Sequence, residues 1–159
     1  MSFEVELADD AATEDFARRA ARGLSPADAP LVLYLQGDLG AGKTSLARGM
    51  LRELGETGPV RSPTYGLLTE YALPGGVVVH IDLYRLRGPE ELQALGLADL
   101  LAQTRLWLIE WPERAPGKGL PQPDASLRLE LSGRGRRLHI EPCTDPGRQW
   151  LESLRRQQM

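Results

Sequence analysis

One stretch constrains the fold more than any other. The apolar run LVLYLQ (residues 31–36) leads straight into GDLGAGKTS (residues 37–45), and a patterned segment follows to Leu54. An apolar run of this kind suits a strand covered on both faces in a parallel sheet. Leu46, Ala47, Met50, Leu51 and Leu54 then recur at helical spacing and Gly55 ends the pattern, which predicts a helix from about Lys43. A buried strand turning through glycines into a helix brings backbone N–H groups and roughly half a unit of positive charge to one point.

The remaining segments are compatible with that frame. FEVEL reads as a short half-exposed strand. ATEDFARRAARG reads as a helix with Thr13 as its cap, apolar positions at Phe16, Ala17, Ala20 and Ala21, and Gly23 as its stop. Two segments flanking Pro74-Gly75-Gly76 predict a hairpin, Pro89 opens a helix that Gly96 divides, and TRLWLIEW is a further buried strand. A proline-rich connection follows, then SLRLEL and RRLHIEP form a last hairpin around SGRG, leaving residues 144–159 as a frayed or helical tail. The expected fold is α/β, a three-layer, P-loop NTPase-like arrangement. Its mixed sheet has a parallel core and antiparallel hairpins, with helices on both faces. At 159 residues, with 42% hydrophobic and 26% charged composition, one domain over residues 1–159 is expected.

Composition excludes several functions. No apolar run reaches the roughly 18 residues of a membrane span, and MSFEVELADD is not a signal peptide, so a cytoplasmic protein is expected. Cys143 is the only cysteine, which rules out an intrachain disulfide and a cysteine-built zinc site. The net charge of −3 gives no general attraction to DNA, and RGRR (residues 134–137) reads as a solvated hairpin tip. No asparagine occurs, so the Asn-Lys-x-Asp element that reads guanine is missing.

Of the 19 basic residues only Lys43 and Lys118 are lysine. Lys43 stands where a compact cation suits the outer phosphates of a nucleotide and the wider fork of arginine does not. Gly37, Gly42, Lys43 and Thr44 fit G-x-x-x-x-G-K-[ST], with Asp38, Leu39, Gly40 and Ala41 between the glycines and Ser45 after them. The backbone of residues 37–45 would cradle phosphate, and the Thr44 hydroxyl would meet Mg2+. The pattern also needs an acid from a neighbouring strand. Asp82 ends VVVHI and Glu110 ends LWLI, each where a buried strand reaches the ligand edge of an open sheet. We assign Glu110 with Thr44 to the metal and Asp82 to the attacking water, with the two roles exchangeable on sequence grounds. His80, two residues before Asp82, is either a satisfied structural histidine or a catalytic one.

With GDLGAGKT, SPTYG, HIDLYR and IEW in this order, the sequence resembles the bacterial TsaE family, the small ATPase of tRNA threonylcarbamoyladenosine biosynthesis. The resemblance runs from Thr13 to Arg137. It implies ATP and Mg2+ as cofactors, the TsaB–TsaD heterodimer as partner, and tRNA met indirectly through that complex. It puts a switch-like segment at Ser62, Pro63 and Thr64, the magnesium glutamate at Glu110, and contacts to the nucleoside end of ATP at Thr13 and Arg137. Trp111 packs beside the nucleotide or anchors the core. A switch at SPTYG also has a physical basis, because a loop that senses the terminal phosphate is ordered by ATP and released by hydrolysis.

Three other functions compete. A small-molecule kinase would use the same loop, with Arg85 and Arg87 in YRLRGPEELQ as a lid, but no segment is long enough for an acceptor domain. LSGRG (residues 131–135) echoes the signature loop of transporter ATPases, yet it follows both acidic strand ends. A module that holds nucleotide without turnover differs from the hydrolase only in rate.

Overall fold

The computed structural model describes residues 2–24, 30–63, 67–115, 117 and 119–157. Among them seven strands form one sheet in the order β1-β7-β6-β2-β5-β4-β3. The strands are β1 (Phe3–Leu7), β2 (Leu31–Gln36), β3 (Leu68–Leu73), β4 (Gly76–Asp82), β5 (Thr104–Glu110), β6 (Ala125–Ser132) and β7 (Gly135–Pro142). The four central strands β6, β2, β5 and β4 run parallel. The β6–β7–β1 meander and the β3–β4 hairpin extend the sheet antiparallel on either side. This is the mixed sheet with a parallel core that the apolar runs predict.

Alternation along the central strands sends side chains to two layers. Leu33, Leu35, Leu106, Leu108 and Val78 face helices α1 (Asp10–Arg22), α2 (Lys43–Glu53) and α5 (Asp145–Gln157). Val32, Val79, Ile81, Trp107 and Ile109 face α3 (Pro89–Ala94) and α4 (Leu97–Leu100), which supply Leu92 and Leu97. Gly96, at φ 65°, separates those two short helices as expected. The tail is helical: Trp150, Leu151 and Leu154 are buried, and the Trp150 indole donates a 2.9 Å hydrogen bond to the Ala20 carbonyl at the end of α1.

Two local readings are corrected. Thr13 is not the cap of α1. Asp9 is, its Oδ1 accepting from the Ala12 amide at 2.8 Å. Thr13 belongs to the stripe with Phe16, Ala17, Ala20 and Ala21, is fully buried, and donates to the Asp9 carbonyl at 2.9 Å. Starting the helix at Thr13 would forfeit the turn that carries it inward. RGRR is not a solvated tip as a unit either. Strand alternation buries Arg136 to 8% exposure and turns Arg137 outward to Glu6, at 2.6 Å, and Glu4, at 3.4 Å.

Helices α1 and α2 cross closely at Gly49, where an added Cβ would lie 2.7 Å from the Ala17 Cβ and would also collide with the Glu14 carbonyl. Arg48 and Glu14 pair across the same crossing at 3.2 Å. Gly49→Ala therefore sets a helix-propensity gain of about 1 kcal/mol against an overpacking penalty of about 1–3 kcal/mol. Because one obstruction is backbone, overpacking should win. Urea unfolding is expected to show the variant less stable by about 1–2 kcal/mol, and an unchanged or raised midpoint would contradict this crossing.

Candidate functional site

The site is built at the carboxyl edge of the parallel core. β2 ends at Gln36 and the chain turns through residues 37–42 into α2, whose first residue is Lys43. Gly42 holds φ 112°, a conformation that favours glycine, and a Cβ there would lie 2.5 Å from the Arg136 guanidinium and displace it. Alongside, register pairs Leu35 of β2 with Glu110 of β5, and Glu110 with Asp82 of β4. Parallel pairing thus sets the loop and both acids side by side at one edge.

A cleft of about 270 Å³ opens there. Leu39, Gly40, Gly42, Lys43, Thr44, Ser45, Ser62, Asp82 and Glu110 line it, as do Asp10 and Trp111. Gly37, Asp38 and Ala41 instead line a separate hollow of about 400 Å³ with Leu129 and Leu131 of β6. Pro63, half-buried, follows Ser62 without lining the cleft, and Thr64 lies outside the described residues.

Hydrogen bonds tie the cleft together. The Thr44 and Ser62 hydroxyls are 2.7 Å apart, and Ser62 donates to Glu110 Oε2 at 3.3 Å. Glu110 is 2% exposed and meets His80 Nε2 at 2.6 Å, while His80 itself is fully buried. Asp82 Oδ1 accepts from the Tyr84 amide at 2.9 Å. Lys43 donates to the carbonyls of Gly37 and, at 3.1 Å, Asp38, with Nζ 4.3 Å from the centre of the Trp111 ring. Burial holds the Lys43 ammonium below the usual lysine range, against the pull of the Glu110 and Asp82 charges. Trp111 occupies the left-handed region at φ 57°, directly before Pro112, a conformation costly for a bulky residue by about 1–3 kcal/mol. Its ring packs at the cleft over Lys43 and against Tyr84, with 5.0 Å between the Tyr84 and Trp111 ring centres.

On the α1 side Arg137, expected at the nucleoside end of ATP, points outward to Glu6 and Glu4. Arg137 does not line the cleft, and its neighbour Arg136 meets it only through Asp10: its Nη1 donates to Asp10 Oδ1 at 2.7 Å and to Thr13 Oγ1 at 3.2 Å. Ser45 donates to the same Asp10 oxygen at 2.9 Å, tying α2 to α1. These bonds, that of Arg136 first, hold the Asp10 carboxyl below its ordinary range. Thr13 therefore adjoins the site through Arg136 without lining it. The available signal was the alternation of RRLHIEP, which puts Arg136 on the face of Leu138 and Ile140. Asp10 carried no comparable mark.

The donors around the cleft floor are all oxygens: the Thr44 and Ser62 hydroxyls and the Asp82 and Glu110 carboxylates. That set suits a hard cation such as Mg2+, which keeps several waters and needs few protein ligands. Among the described residues no group of three or more His, Cys, Asp or Glu forms a metal cage. Burial raises the Asp82 carboxyl above its ordinary range, and the Glu110 charge adds to the rise. The sign follows by linkage. Above its raised folded value Asp82 is charged in both states and the charge disfavours the native one; as pH falls through that value the native state takes up the proton first and this penalty disappears. In metal-free protein near pH 7, Asp82→Asn, which can still accept from Tyr84, is expected to raise the thermal midpoint, with the gain shrinking on acidification. A lower midpoint at pH 7 would contradict the desolvation of Asp82.

With this geometry in hand, comparison with known proteins is specific. The family described as "Threonylcarbamoyl adenosine biosynthesis protein TsaE" matches residues 7–138. The chain is similar to the tRNA threonylcarbamoyladenosine biosynthesis protein TsaE of Haemophilus influenzae, 42% identical over 124 residues covering 78% of each chain. It is also similar to that of Rickettsia bellii, 39% identical over 127 residues covering 79% of this chain and 85% of the other. Among solved structures it superposes on Bacillus subtilus YdiB with a TM-score of 0.81, covering 100% of this chain and 97% of that one at 24% identity, a likeness of fold. The fold agrees with these matches, and the chain belongs to the TsaE family.

Proposed function

We propose that the chain is a Mg2+-dependent ATPase in tRNA N6-threonylcarbamoyladenosine modification, acting in the cytoplasm as a nucleotide-driven switch on a TsaB–TsaD heterodimer, with tRNA met through that complex. The observation that carries the ATPase reading is the juxtaposition of Lys43 and Thr44 with Glu110 and Asp82 around one cleft. The pathway rests on family membership. No helix among the described residues is long and apolar enough to cross a membrane.

In this reading the amides of residues 37–45 hold the phosphates and Lys43 exchanges the Gly37 and Asp38 carbonyls for the outer phosphate oxygens. Thr44 and Glu110 hold the metal, on either side of the Ser62 hydroxyl. Bound Mg2+ supplies neutralising charge to the phosphate oxygens. Asp82, half-buried, orients a water and receives its proton as the water oxygen bonds to the terminal phosphorus and the bond to the bridging oxygen breaks. Ser62 touches Thr44 directly, so the segment it begins is coupled to whatever Thr44 binds. That coupling supports the switch.

Lys43→Ala should lower turnover by about 10²–10³-fold or more, as loss of a preorganised charge does. Glu110→Ala should weaken Mg2+-dependent binding, and Asp82→Ala should spare binding while stopping turnover. Phosphate release from Mg·ATP, measured beside nucleotide binding by calorimetry, checks all three; wild-type rates in both acid variants would refute the site. Release as free inorganic phosphate, with no phosphorylated acceptor, separates the hydrolase from a kinase. For the switch, affinity for the heterodimer should differ between the ATP-bound, ADP-bound and nucleotide-free protein, and equal affinity in all three would remove it.

A further inference from the structure

His80 is fully buried on β4, yet among the described residues only one of its ring nitrogens has a partner. Nε2 lies 2.6 Å from Glu110 Oε2, and Nδ1 has no hydrogen-bond partner among the described residues. A buried polar nitrogen left unpaired is disfavoured, and an apolar side chain would fill the same space without that penalty. Core packing therefore does not account for an imidazole here. Both hydrogen bonds described for Glu110, from Ser62 and from His80, fall on Oε2. They differ in kind. Ser62 belongs to a loop and also bonds Thr44, whereas His80 belongs to a central strand locked between β3 and β5 by regular pairing.

We infer that His80 is a positioning residue for the metal site: its Nε2–H, delivered from a rigid strand, fixes the Glu110 carboxylate through Oε2 and leaves Oε1 for Mg2+. The inference rests on the reading of the cleft as a Mg·ATP site. Hydrogen-bonding partners of metal-ligating carboxylates act in this way, and their loss typically weakens metal affinity or activity by about 10–100-fold. A histidine whose second nitrogen is unpartnered has one task, and the geometry gives it to Glu110.

The test compares wild type with His80→Leu and His80→Gln in the full chain, using ADP titrated by calorimetry first in EDTA and then over a range of Mg2+. Glutamine can offer an N–H close to the position of Nε2; leucine cannot. In His80→Leu, ADP affinity in EDTA should stay within about twofold of wild type, because the phosphate loop is untouched, while the Mg2+ needed for half of the metal-dependent gain should rise about 10–100-fold. His80→Gln should recover most of that gain. If leucine does not fold, His80→Met, which fills irregular space without donating, is read in the same way. An unchanged Mg2+ requirement in the apolar variant, an equal loss in His80→Gln, or a parallel fall of affinity in EDTA would each overturn the inference. If wild type itself shows no Mg2+-dependent gain, the reading of the cleft fails, and this inference with it.

Discussion

The parallel register of β2, β5 and β4 is the constraint on which the site depends. Leu35, Glu110 and Asp82 lie side by side because three buried strands run the same way and end together. That alignment is held by side chains on both faces, Leu33, Leu35, Leu106 and Leu108 toward α1 and α2, and Val32, Trp107 and Ile109 toward the shorter helices. A slip of one residue in β5 would turn Glu110 away from Thr44 and send Leu108 and Ile109 to the wrong layers. The hydrophobic core and the chemistry are therefore specified by one set of contacts.

Around this edge the protein accumulates features that do not favour stability. Lys43 and Glu110 are buried, Asp82 is half-buried with its carboxyl held above the ordinary range by that burial, and His80 Nδ1 has no hydrogen-bond partner among the described residues. Trp111 adopts a left-handed conformation before a proline. Such costs persist where the surrounding structure over-determines them, and they cluster where ligands are handled. Here the strand ends supply the over-determination: the Trp111 amide donates to the Leu35 carbonyl at 3.3 Å, and the Leu83 amide to the Glu110 carbonyl at 3.1 Å. Backbone pairing thus continues past the last strand residues and anchors both acids from behind.

The antiparallel side of the sheet contributes differently. β7 brings Arg136 under the loop, where it joins Asp10, Thr13 and, through Asp10, Ser45. This small network links α1, α2 and β7 at the point where a Cβ on Gly42 would displace Arg136. A residue near the end of the family match thereby supports a loop some 90 positions earlier, and α1 is fixed to the same loop.

The sequence by itself determined the central frame: strand, glycine loop and helix, two acids at the ends of apolar runs, and a helix divided at Gly96. It could do so because those signals are local, carried by periodicity, backbone conformation and the requirement that phosphate chemistry places on residue type. What only the tertiary structure decided are relations across the sheet. Alternation sets Arg136 on the apolar face of β7, but that Asp10 and Thr13 of α1 meet it there follows only from the packing of α1, and Thr13 is a cap candidate until packing draws it into the buried stripe of α1. Asp10, Ser62 and the pairing of His80 with Glu110 join residues from 18 to more than 120 positions apart, and no local pattern encodes such pairs. Their partners are set by register and helix crossing, which depend on the whole core at once.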